Sequence, residues 1–321
     1  MKAISEFLHD GISTVAELRE ALQLAMQLEF STIPPYLCAQ WSIDTSEDPS
    51  GVARTIKRIA IQEMFHFALA GNMLSAIGGA PNIANSSFLP TYPTNQLPGG
   101  IPQSLPVDLK PLSNQPKNKS QLDVFLQIEN PEFPPVALLA AAAATTIGAF
   151  YNMLSDAFGT IQNLTFDPNA NFVQFGEAVA IKNVDDAQAA IGRIKREGEG
   201  TKGSPNQPPE DGAQFAHYYT FKEILKGAKL MQSNGVWDFT GTPITFPGHI
   251  YDFVPSISDP NPSVIFNKIL TTLLINLQAC WTNGTAVDTD TMDELETEGT
   301  ALIRQGIRPQ FIWIDPATNN G

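Results

Sequence analysis

Between Val52 and Ile77, apolar side chains recur at Val52, Ile56, Ile59, Ala70, Met73 and Ile77. Steps of three or four place them on one face of an α-helix. Continued through the gap, the same steps land on Glu63 and His66, inside the stripe that should be driest. A second stripe, Val15, Leu18, Leu22, Met26, Ile33 and Leu37, predicts a helix over 13–43 and holds Glu29 in its middle. Ser13-Thr14 with Glu17 opens that helix in a capping-box-like arrangement. Pro34-Pro35 lie within it, so the carbonyls of Phe30 and Ser31 lose their helical donors, and a kink is expected there.

Further helices are expected over 135–158, 184–197, 212–229, 263–281 and 289–304. The second of these carries the stripe Ala187, Ile191 and Ile194 and breaks at Glu197-Gly198-Glu199-Gly200. The next has Phe221, Ile224 and Ala228, with His217 one turn earlier. Residues 81–134 are rich in Pro, Asn, Ser and Gly and read as a long irregular connection capping one end of a bundle. Residues 172–181 suit a short strand or helix, and 231–260 a loop with a hairpin near 240–245. No repeat at a fixed period is found.

With 321 residues, 43% of them apolar, the chain can bury a sizeable core. A net charge of −14 opposes nucleic acid or an anionic membrane as partner. The longest apolar run, Val136 to Ala144, is far short of a membrane span, and the N-terminus has no export signal. Cys38 and Cys280 lie in apolar segments and read as buried free thiols. A cytoplasmic location is the resulting expectation.

Four helical segments thus carry an ionisable group on or beside an apolar face: Glu29, the Glu63/His66 pair, the Glu197–Glu199 turn, and His217. One buried glutamate is commonly a structural ion pair, and one histidine a satisfied core residue. Four such segments, with Lys and Arg absent from the same faces, form a pattern. An isolated buried carboxylate costs several kcal/mol or takes up a proton. A shared cation relieves that cost, and oxygen and nitrogen donors suit iron, manganese or zinc. Periodicity puts Glu197 nearer the apolar face, but the flanking glycines can rotate Glu199 inward, so the choice stays open on these grounds. Tyr36, Tyr151, Tyr218 and Tyr219 read as amphipathic packing. His9 and His249 fall in surface segments and receive no role.

The segments Leu28-Glu29-Phe30-Ser31-Thr32-Ile33-Pro34-Pro35-Tyr36-Leu37, Gln62-Glu63-Met64-Phe65-His66, Ile77-Gly78-Gly79-Ala80-Pro81, Thr146-Ile147-Gly148-Ala149-Phe150-Tyr151, Gly198-Glu199-Gly200 and His217-Tyr218-Tyr219 occur in that order. Together, over about 14–230, they resemble the ferritin-like family named for iminophenyl-pyruvate dimer synthase, found in bisindole pigment and antibiotic biosynthesis. The resemblance implies a mainly α fold: a ferritin-like antiparallel four-helix bundle forming a single domain over 1–321. Its core is 14–230, with an irregular insertion at 81–134 and extra C-terminal helices in an extension over 231–321. It implies an iron-type centre held by Glu29, Glu63, His66, Glu199 and His217, and so selects Glu199 over Glu197. The family's acid after Thr-Ile-Gly is Ala149 here, which leaves one ion or two open. The family's named enzymes are also longer, multi-domain chains. The implied function is a metal-dependent oxidoreductase of secondary metabolism, taking a small organic substrate with O₂ or peroxide. The rivals are a metal-storage protein and a metal-free binding module; a homo-oligomer is compatible with each, and the sequence leaves the oligomeric state open.

Overall fold

The long stripes fold as helices in the computed structural model, which describes residues 2–116, 118–131, 146–176, 178–198, 200, 205, 215–255 and 261–316. Helix α1 spans Ile4–Asp10 and α2 Val15–Trp41, the latter capped by Thr14 and Glu17. Helix α3 spans Val52–Ala76, α4 Gln121–Ile128, α5 Ile147–Thr160, α6 Val184–Glu197 and α7 His217–Lys226. Two C-terminal helices, α8 over Val264–Asn283 and α9 over Thr289–Arg304, match the expected helices 263–281 and 289–304 closely. The fold is mainly α, with two small antiparallel hairpins.

The bundle is two antiparallel pairs, α2 with α3 and α5 with α6, joined by α2 against α5 and α3 against α6. Helix α7 packs on α3 and α4. On the opposite flank, α9 lies on α2 and α8 on α3, close enough to need glycine at each crossing. A Cβ at Gly299 would lie 2.4 Å from the Trp41 ring, and one at Gly71 2.4 Å from the Trp281 ring. Asn72 ties this flank together. It accepts from Trp281 Nε1 at 2.8 Å and from Val173 N at 2.8 Å, and donates to the carbonyls of Val173 and Val179.

The prolines of α2 are absorbed within the helix, which runs on to Trp41. The Ser31 carbonyl, deprived of a donor by Pro35, accepts from Tyr92 Oη at 2.6 Å. A buried acceptor is thereby satisfied from outside the helix.

Several expectations need correction. The insertion at 81–134 is not irregular throughout. It holds the hairpin of β1 (Thr94–Leu97) and β2 (Ile101–Val107), and then α4, which opens on a Ser120/Asp123 capping box. The later hairpin pairs β3 (Met231–Ser233) with β4 (Val236–Asp238), not 240–245. Asn234 and Gly235 both take positive φ, the requirement of a two-residue turn matched to strand twist. Residues 172–181 form neither strand nor helix where described; Asn72 holds them through Val173 and Val179. The seventh helix stops at Gly227 in the left-handed conformation, short of 229. Positions 135–145 and 212–214 of the expected helices lie outside the described residues.

By length and apolarity α8 alone, among the described helices, is sufficient to cross a membrane. Composition had shown no such run. Its buried face packs on α3 and α9, and Asn267, which it buries, reaches Gln310 and Ile312, so it is a flank of the bundle.

Candidate metal centre

Helix α2 presents Glu29 and α3 presents Glu63 and His66 one turn apart, all turned into the bundle interior. The first residue of α7 is His217, and Glu129 is the residue that ends α4. Each of the five is at most 5% exposed. Their donor atoms form two triads, Glu29–Glu63–His66 and Glu63–Glu129–His217, with Glu63 common to both. Within each triad the donor atoms lie within 4.8 Å of one another.

Both imidazoles face inward through Nδ1. His66 Nδ1 is 3.6 Å from Glu29 Oε2 and 3.6 Å from Glu63 Oε2. His217 Nδ1 is 2.7 Å from Glu63 Oε1 and 3.6 Å from Glu129 Oε1. The two oxygens of Glu63 therefore serve different histidines. Despite the short distance, His217 Nδ1 makes no well-directed hydrogen bond among the described residues, and it is fully buried. An orphaned inward nitrogen beside carboxylate oxygens is chemically suited to ligate a cation.

The opposite nitrogens are held from behind. His66 Nε2 is 3.0 Å from Glu197 Oε2, and Arg193 Nε donates to Glu197 Oε1 at 2.8 Å. His217 Nε2 is 3.2 Å from Gln62 Oε1. Such outer partners fix the orientation of a ligating ring and raise its basicity. The outer carboxylates are braced as well. Tyr151 Oη donates to Glu29 Oε1, and Tyr36 Oη to Glu129 Oε1 at 2.6 Å. The two tyrosines thus do more than pack.

Three carboxylates face two imidazoles, so even fully protonated rings leave one negative charge uncompensated within the cluster. Burial pushes Glu29 up to about 7 and, with the charge of Glu63, raises Glu129. Burial is the largest single influence on Glu63 and opposes its ionisation, but the charges and hydrogen bonds of His217 and His66 together outweigh it and hold Glu63 below the usual carboxylate range. Burial lowers both imidazoles, yet neighbouring carboxylates win: Glu197 and Glu29 take His66 well above its ordinary value, and Glu129 and Glu63 take His217 to about 9. The cluster retains protons that a cation would displace.

Beside the triads is a small cavity of about 20 Å³. Glu29, Glu63, His66 and Glu129 line one side; Leu28, Ile128, Ile147 and Ile194 give it apolar walls.

Of the five residues expected from the sequence, Glu29, Glu63, His66 and His217 converge. Glu199 lies outside the described residues. Its rival Glu197 arrives behind His66. Glu129 went unnoticed, although Ser120, Leu122, Phe125 and Ile128 give the spacing of a short capped helix that ends on it. Ala149, in the first turn of α5, offers only its backbone N–H to Thr146 Oγ1.

A family model described as Ferritin-like matches residues 22–226. No curated protein matches the chain. Among solved structures, a ferritin-like protein from Caulobacter vibrioides superposes with a TM-score of 0.67 at 21% identity, covering 94% of this chain and 99% of that one. Such an identity speaks for the fold alone. With almost two thirds of its length matched by the family model, the chain belongs to the ferritin-like family.

Proposed function

We propose that the chain is a two-metal, iron-type oxidoreductase acting on a small organic substrate. Glu29, Glu63 and His66 would hold one ion, and Glu63, Glu129 and His217 the other. The observation that carries this reading is the pair of triads sharing Glu63, each with an imidazole presenting Nδ1 inward and anchored through Nε2. Glu129 supplies the carboxylate that the Ala149 position lacks. When bound, redox-active ions would exchange electrons with O₂ or peroxide and with the substrate.

The protein's own groups bind, orient and exclude water. Glu197 and Gln62 keep each ring in the tautomer that leaves Nδ1 free to donate its lone pair. Tyr36 and Tyr151 restrict the rotation of the outer carboxylates. Leu28, Ile128, Ile147 and Ile194 exclude bulk water from the cavity and favour an apolar body on the substrate. The ordered motifs from Glu29 to His217 support kinship with iminophenyl-pyruvate dimer synthase enzymes and so a role in secondary metabolism.

Anaerobic loading with Fe(II), followed by metal analysis and an O₂ pulse watched by optical and Mössbauer spectroscopy, tests the proposal. Two ions per chain and oxidation of the loaded iron are expected. A chain that takes up none would leave a metal-free binding module, and uptake with no turnover of any organic substrate would leave a metal-binding protein.

A further inference from the structure

A second cavity, of about 80 Å³, lies between the α2/α3 pair and the α8/α9 flank. It shares no lining residue with the cavity of the metal centre. Its outer wall comes from α8, α9 and the segment after them, all beyond the residues matched by the family model. Protein interiors are close-packed, and voids much larger than a water molecule are few. Here the packing elsewhere is tight enough to demand glycine at Gly71 and Gly299, so the opening does not reflect a loosely built flank.

The lining chemistry is uniform. Every contributing side chain but one is apolar. The exception, Asp288, is already engaged: it accepts from Thr291 N and Oγ1 at 3.1 and 2.6 Å and from Asn276 Nδ2 at 3.1 Å. The floor is buried Phe67, Leu274 and Phe311, whereas Met64, Leu277 and Met292 at the rim remain partly accessible. An unbranched, polarisable methionine adapts its shape to what it touches. With no spare cation or donor in the lining, a charged head group would be desolvated without compensation.

The geometry points to a binding site for a neutral, hydrocarbon-rich small molecule between the bundle and its C-terminal flank, separate from the metal centre. The ligand would bridge α3 with α8 and α9, and so would stabilise their docking.

The neutral fluorophore N-phenyl-1-naphthylamine is the probe, titrated into the full chain before and after chelation. Saturable binding with a blue-shifted emission is expected in both states, together with a raised melting temperature. Decanol should displace the probe, and decanoate should do so at least about tenfold less well, because its charge goes unpaired. Leu277→Trp, which fills the mouth, and Met292→Lys, which places an ammonium there, should each weaken the probe about tenfold. Absence of saturable binding, equal displacement by decanoate, or unchanged affinity in the variants would overturn the assignment. If Leu277→Trp does not fold, Met292→Lys, at a partly accessible position, decides.

Discussion

Glu63 gives one oxygen to the His66 side of the cluster and the other to the His217 side, whereas Glu29 and Glu129 each serve a single side. Their substitutions should therefore differ in kind. Glu63→Ala should abolish loading of both ions, while Glu29→Ala and Glu129→Ala should each leave one, as read by metal analysis after gel filtration. Equal loss from all three would refute the bridging role. Glu197→Gln touches no ion in this scheme, yet it removes the charged partner behind His66. It should weaken metal affinity by about 10–100-fold while loading still saturates at high metal; a calorimetric titration distinguishes this from outright loss. The legibility of these residues follows their place in helices. Glu29, Glu63 and His66 sit mid-helix, where a long apolar stripe defines the interior and a polar interruption stands out. Glu129 ends an eight-residue helix whose stripe is too brief to fix a face. Glu197 and Glu199 straddle a glycine; periodicity set Glu197 nearer the apolar face, and that residue does reach His66.

Helix α2 shows how an element can carry a defect that its sequence announces and its surroundings repair. Pro34-Pro35 made the loss of backbone donors visible, but the donor that replaces one of them, Tyr92, is 61 residues from Ser31 and comes from the insertion. No periodicity links the two. Tyr92→Phe would leave the Ser31 carbonyl without that bond and should lower stability by about 1–2 kcal/mol, seen as a shifted urea midpoint at constant slope. An unshifted midpoint would mean that the carbonyl finds another donor. The insertion was misread for a related reason. Its prolines and glycines are turn-formers, as Gly99 and Gly100 with positive φ show, yet they frame a hairpin and a capped helix.

For the whole molecule, the bundle was legible because its helices are amphipathic and long. The docking of α8 and α9 was not, since it depends on small residues meeting large ones across distant segments. Gly71→Ala would drive a methyl into the Trp281 ring and should cost about 1–3 kcal/mol by overpacking, measurable by thermal melts; retention of full stability would mean that α8 shifts freely. Global stability should also follow pH through the cluster. In the metal-free protein His217 keeps its proton to about pH 9, against an ordinary 6.5, so its stabilising effect is complete below 6.5 and fades between those values. Glu29, raised from 4.5 to about 7, fades over that lower window in the same sense. Glu63 and Glu197 lie below their ordinary value and lose their contribution as pH falls past 4.5. Melting temperature should therefore peak at mildly acidic pH and decline toward alkaline pH. A bound cation requires these protons to leave, so the stabilisation it confers should grow with pH. Scanning calorimetry with and without chelator, across that range, checks both slopes.

The clustered side chains stand at positions 29, 63, 66, 129 and 217, far apart along the chain. A cation among them would act as a rivet through segments that emerge from the ribosome at widely separated moments. One triad is complete once residue 66 has been made; the other must wait for residue 217. The centre can thus be finished only on a nearly whole bundle, and once filled it closes loops tens of residues long. Its grip would be felt chiefly in how slowly the assembled molecule comes apart.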